Sequence, residues 1–167
     1  IGNWDVGNGT NFSGMFSYAD RFNQDIGNWD VSNGTDFSSM FRGLEDANFK
    51  QDISNWDVGN GTDFSYMFYN VESFNSDIGN WDVSNGRNFS NMLTRSLFDR
   101  DISSWNVSNG RNFSNMFGSR FNQDIGEWDV SNGTDFSSMF SYAEEFNQDI
   151  GDWDVSNGTN FSSMFSY

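Results

Sequence analysis

Seven tryptophans recur at nearly constant intervals, and that recurrence restricts the fold more than any other feature of the chain. Trp4, Trp29, Trp56, Trp81, Trp105, Trp128 and Trp153 are separated by 25, 27, 25, 24, 23 and 25 residues. Each is followed by a Val two positions on (Val31), an Asn-Gly pair (Asn33-Gly34), and then a Phe, a Ser and a Met (Phe37, Ser38, Met40). A fixed period of this length marks a repeat unit that cannot bury its apolar face alone and needs neighbours on both sides.

The spacing inside the unit predicts a leucine-rich-repeat-like α/β solenoid of seven coils. Ile26, Trp29, Val31 and Phe37 stand as apolar-x-x-apolar-x-apolar followed, after an Asn, by a further apolar residue, the pattern of a short parallel strand and a turn. Trp29-Asp30-Val31 is the expected strand, with Trp29 and Val31 inward and Asp30 outward. Phe37, Met40 and Phe41 fall at i, i+3 and i+4, one face of a short helical turn. Thr35 is its expected N-cap, and Asp36 suits its first turn. Phe22, Phe49, Phe74, Phe98, Phe121 and Phe146 close each coil before the next Ile.

FNQDIGNWDVSN, Phe22 to Asn33, with the Ser-x-Met-Phe of Ser38 to Phe41, resembles the roughly 26-residue surface repeats of bacteria and mycoplasmas, relatives of leucine-rich-repeat surface adhesins. The resemblance covers all seven repeats. It implies an extracellular or cell-surface protein. The chain departs from the usual pattern in two columns. Gly34 and its equivalents stand where Val is usual, and Phe37 and its equivalents where Met is frequent. One column loses volume while its neighbour gains it, as in compensating repacking.

The repeats run 1–25, 26–52, 53–77, 78–101, 102–124, 125–149 and 150–167, with no linker or composition shift between them. All length changes fall between the Met-Phe and the Asp before the next Ile, including the GLEDAN insertion, Gly43 to Asn48. That side is expected to be the tolerant outer loop. The sequence begins and stops within a repeat, without a polar cap, which reads as a segment of a longer array.

Charge and composition narrow the function. The net charge is −16, from eight basic and 24 acidic residues, which argues against nucleic acid and anionic membrane as partners. No apolar run is long enough to insert in a membrane as a helix. With no His, no Cys and a single Lys (Lys50), the chain offers no nucleophile-base pair, and an enzyme is not expected. Its carboxylates are translational copies, not the unequal pair of a glycosidase.

Two columns of acids carry the remaining chemistry. Asp5, Asp30, Asp57, Asp82, Asp129 and Asp154, with Asn106 in the fifth coil, form an outward strip of oxygen ligands suited to weak calcium binding or to glycans, or simply a solvated face. Asp25, Asp52, Asp77, Asp101, Asp124 and Asp149 precede each Ile and read as caps of backbone N–H groups. Asn33 and its equivalents read as an inward amide ladder, with Gly34 supplying a positive φ. Among the Asn-x-Ser/Thr sequons, Asn11, Asn88, Asn112 and Asn160 are the candidate glycosylation sites.

The sequence therefore points to a non-enzymatic extracellular structural or adhesive repeat protein that self-associates end to end, forming or continuing into a fibre. The alternative is a cation- or glycan-binding module using the acidic face. Ice binding through Thr10, Thr35, Thr62, Thr134 and Thr159 is a remote third reading, because Arg87 and Arg111 interrupt that column.

Overall fold

A computed structural model describes residues 1–44 and 46–166; Glu45, within the GLEDAN insertion, and Tyr167 lie outside the described residues. The repeats stack as coils in register. Neither element of a leucine-rich-repeat coil is present, which corrects the expected α/β fold. The described residues contain no helix and no named strand. Regular pairing is confined to a row of single parallel bridges, Asn11 to Asp36, Asp63, Asn88, Asn112, Asp135 and Asn160 in turn.

Each coil is instead a succession of tight turns, the first three of which are opened by apolar residues. In the second coil the Trp29 N–H donates to the Ile26 carbonyl, Gly34 to Val31, and Met40 to Phe37, at 2.8 to 3.2 Å. The segment expected as a helical turn keeps its i to i+3 bond, but Ser39 has φ 57°. A left-handed residue at the third position makes a type II β-turn and stops a right-handed helix. Gly14, Tyr66, Asn91, Asn115, Ser138 and Ser163 hold the same place in the other coils, all with positive φ. Thr35 is accordingly not an N-cap; its N–H and hydroxyl both donate to the Thr10 carbonyl of the coil before.

The two sides of the stack are stitched differently. Beyond the bridge row the backbone does it: the N–H groups of Phe37, Ser39, Phe41 and Gly43 donate to the carbonyls of Asp63, Ser65, Met67 and Tyr69 in the next coil. Along the Trp-x-Val side, where a strand is expected, main-chain bonds close local turns and side chains cross between coils. Trp29 Nε1 donates to the Ile1 carbonyl, Trp56 to Ile26, Trp81 to Ile53, and so on to Trp153 and Ile125. Asn33 Nδ2 donates to the Gly7 carbonyl, with equivalents down the stack. This amide ladder is exposed, not inward as expected.

The core is built of aromatic columns. Ile26, Trp29, Val31, Phe37, Met40 and Phe41 are buried, as are their counterparts through the sixth coil. Phe12, Phe37, Phe64, Phe89, Phe113, Phe136 and Phe161 form one row of parallel rings with centroids 5.4 to 5.7 Å apart. Gly34 does not need its expected positive φ. It is required because a Cβ there falls 2.5 Å from the Phe37 ring, and the same clash recurs at all seven Asn-Gly pairs. The paired gain of Phe and loss of Val are thus one packing event.

Two stability predictions follow from this packing. Trp81→Ala, which removes a buried indole and its bond to Ile53, costs about 3–5 kcal/mol in urea unfolding, whereas Trp4→Ala, at an exposed end position, costs about 0.5 kcal/mol or less. Gly61→Val alone destabilises by about 1–3 kcal/mol through overpacking against Phe64. Combined with Phe64→Met, its cost is less than the sum of the two single changes, as a double-mutant cycle would read.

Candidate functional site

Three times per coil an Asp or Asn is followed by a large apolar residue and then a Gly or Ser. In the second coil these triplets are Asp25-Ile26-Gly27, Asp30-Val31-Ser32 and Asp36-Phe37-Ser38. In each, the side-chain oxygen accepts the N–H two residues on, at 2.9 to 3.1 Å. These are Asx-turns that fold the backbone around an inward apolar residue. The acidic columns are therefore part of the folding code.

The proposed calcium strip belongs to the middle triplet. Asp5, Asp30, Asp57, Asp82, Asp129 and Asp154 each bind the N–H of Gly7, Ser32, Gly59, Ser84, Ser131 or Ser156 through Oδ1, and Asn106 does the same for Ser108. One carboxylate oxygen of each is thus occupied by protein. Among the described residues no group of three or more His, Cys, Asp or Glu side chains comes together to hold a metal ion. The capping expected of Asp25 and its column is present in every copy.

These bonds favour the ionised acids. The Ser32 hydroxyl and then its N–H lower the Asp30 pKa, and Ser84 and Ser131 do the same for Asp82 and Asp129. For Asp52, Asp101 and Asp154 the backbone N–H is the larger cause. Asp154 pushes the Asp129 value slightly the other way, the one resolved trace of repulsion along the column.

The four sequon asparagines Asn11, Asn88, Asn112 and Asn160 lie in the bridge row rather than at helix starts. Their Oδ1 atoms accept the N–H of Ser13, Ser90, Ser114 and Ser162. Asn11 is exposed and the other three are half-buried. The threonine column is exposed, and the hydroxyls of Thr35, Thr62, Thr134 and Thr159 donate to carbonyls of the preceding coil.

Sequence reasoning missed the outer-loop face. Arg42 lies over the rings of Tyr18, Tyr66 and Tyr69, 4.9 to 5.5 Å from their centroids, a cation-π cluster. Its Nε is buried without a hydrogen-bond partner. Beside this cluster a recess of about 480 Å3 opens over the third to sixth coils. The available signal was the segregation of aromatic types. No tyrosine occurs between the Ile and the Asn-Gly of any repeat, whereas every tryptophan does.

Coils of 23 to 27 residues, each completed by hydrogen bonds and stacked rings from the next, define a repeat protein. The chain belongs to the family described as Mycoplasma protein of unknown function, DUF285, which matches residues 1–46, 44–122 and 94–167. No curated protein and no solved structure matches it.

The Asx-turn role makes an explicit prediction. Asp57→Asn leaves stability nearly unchanged, as Asn106 already serves in the fifth coil, while Asp57→Ala costs about 1 kcal/mol through the lost N–H partner. A marked loss of stability in Asp57→Asn would show that charge, not turn closure, is what the column supplies. Acid has a calculable sign. The lowered native values of Asp30, Asp52, Asp82, Asp101, Asp129 and Asp154 give stability present above the unfolded value and lost as pH falls through the native ones. The thermal midpoint is therefore level near neutrality and falls below about pH 4.

Proposed function

We propose that the chain is a non-enzymatic structural and adhesive repeat protein that works outside the cell or at its surface, with its coils as the units of an end-to-end fibre. The observation that carries this reading is the inequivalence of the two faces of a coil. The third coil presents the N–H groups of Phe64, Tyr66, Phe68 and Asn70 to one neighbour, where they meet the carbonyls of Asn88, Ser90, Met92 and Thr94. To its other neighbour it presents the carbonyls of Asp63, Ser65, Met67 and Tyr69. Complementary, unlike faces make a heterologous contact, which propagates when rotation does not close it.

The net charge of −16 supports lengthwise over sideways association, because the acidic flanks repel while the apolar coil faces do not. The surface-repeat pattern of Phe22 to Asn33 supports a location outside the cell. No helix of the described residues is long and apolar enough to cross a membrane.

Sedimentation velocity over a concentration series, with electron microscopy of the same samples, tests the fibre. The expected result is rods of constant width whose length grows with concentration. Phe165→Asp, which puts a charge on the exposed apolar face of the last coil, should leave only short species. A chain that stays monomeric at every concentration would overturn the reading.

A further inference from the structure

The fifth coil lacks a turn that its neighbours have. In the first, third, fourth and sixth coils a second i to i+3 turn follows the Met-Phe or Met-Leu pair, closed by Ala19 on Phe16, Val71 on Phe68, Ser96 on Leu93 and Ala143 on Phe140. The third residue of those turns is Tyr18, Asn70, Arg95 or Tyr142, all with φ between 56° and 60°. In the fifth coil Gly118 takes over directly after Phe117, and a Cβ there would run into the Ser96 carbonyl. The chain cuts the corner, and the recess of about 480 Å3 is the space that the missing turn leaves.

Its lining is unlike the rest of the molecule. Tyr69 and Arg95 stand on one side and Tyr142 on the other, with Asn91, Asn115 and Ser119 between them. No acidic residue lines it, in a chain with 24 of them. Tyr142 is 65% exposed. Tyr69 and Tyr142 are three coils apart, about 14 Å at a strand-like step of about 4.8 Å. Tyr142 and Arg95 also occupy left-handed positions where Gly or Asn fits with less strain. Bulky residues at such positions are a reason to look for a function.

The geometry points to a binding site for a short neutral oligosaccharide in this recess. Tyrosine rings offer flat apolar faces for the C–H faces of sugar rings, with a hydroxyl at the wet edge. Asn91, Asn115 and Ser119 supply paired donors and acceptors for sugar hydroxyls, and Arg95 adds donors with no acceptor. The volume falls within the range of small-molecule sites. A neutral ligand also avoids the repulsion that a chain of charge −16 exerts on an acidic one. This inference gives the adhesive half of the proposed function its ligand class and rests on that half; it does not depend on fibre formation.

The test is saturation-transfer NMR of the whole chain with neutral gluco-, galacto-, manno- and N-acetylglucosamine oligosaccharides and with carboxylated sugars of the same lengths. Binding of at least one neutral series is expected. Tyr142→Gly and Arg95→Gly should each weaken it about tenfold or more, equivalent to about 1.4 kcal/mol. Thermal melting should show both variants at least as stable as the parent, since glycine relieves the left-handed backbone. Tyr18→Gly, which relieves a similar strain away from the recess, should bind as the parent does. The inference is overturned if no neutral series binds, if only the carboxylated sugars bind, or if Tyr142→Gly and Arg95→Gly bind unchanged. Sedimentation of the same variants separates the outcomes: fibres that persist when binding is lost leave the assembly reading standing by itself.

Discussion

A single coil of this protein cannot satisfy its own backbone, and everything else in the structure follows from that. The N–H groups of Phe37, Ser39, Phe41 and Gly43 find their partners one coil further on, and the indole of Trp56 reaches back to the Ile26 carbonyl. A buried peptide group without a partner costs about as much as a lost hydrogen bond. Order in one coil is therefore conditional on order in the next, the nearest-neighbour logic of repeat arrays. The aromatic columns work with the same periodicity. Phe64 stacks on Phe37 and Phe89 while its backbone N–H reaches Asn88. Hydrophobic burial and hydrogen bonding thus enforce the same register.

Within a coil, the Asx triplets make the chain turn without helix or strand. Asp25, Asp30 and Asp36 each hold the N–H two residues ahead, which bends the backbone and leaves the Ile, Val or Phe between them pointing to the core. Acidity and solubility come with this architecture. A composition that looks like a charged surface is in large part a set of turn closures, and at Asp30 and Asp52 the hydroxyl and amide donors also favour the ionised form.

Much of this is legible in the sequence, and what is not has physical causes. Periodicity identified the repeat, the inward Trp29, Val31, Phe37, Met40 and Phe41, and the capping role of Asp25. It mistook the backbone between them, because a helical turn and a type II turn both place residues i and i+3 together. Only the sign of φ at Ser39 separates the two, and serine does not announce it. The Trp-x-Val alternation read as a strand for a similar reason: two inward residues at a spacing of two fit a strand and also fit the junction of two turns. Gly34 was assigned to conformation when it serves packing, a distinction that depends on where the Phe37 ring lies. The recess was not legible at all, since it arises from a turn that the fifth coil omits between two coils that keep it.

The direction of the inter-coil bonds has a mechanical consequence. They run along the stack, between one coil and the next, so a pull on the two ends of the chain loads successive interfaces in series. Every interface carries the full load, so yielding proceeds coil by coil. Each released coil of about 25 residues gives up about 85 Å of extended chain in exchange for a rise of about 4.8 Å. A stack of coils built this way is stiff under small loads and lengthens many-fold under large ones, and each coil can refold on the templating edge of the coil that remains.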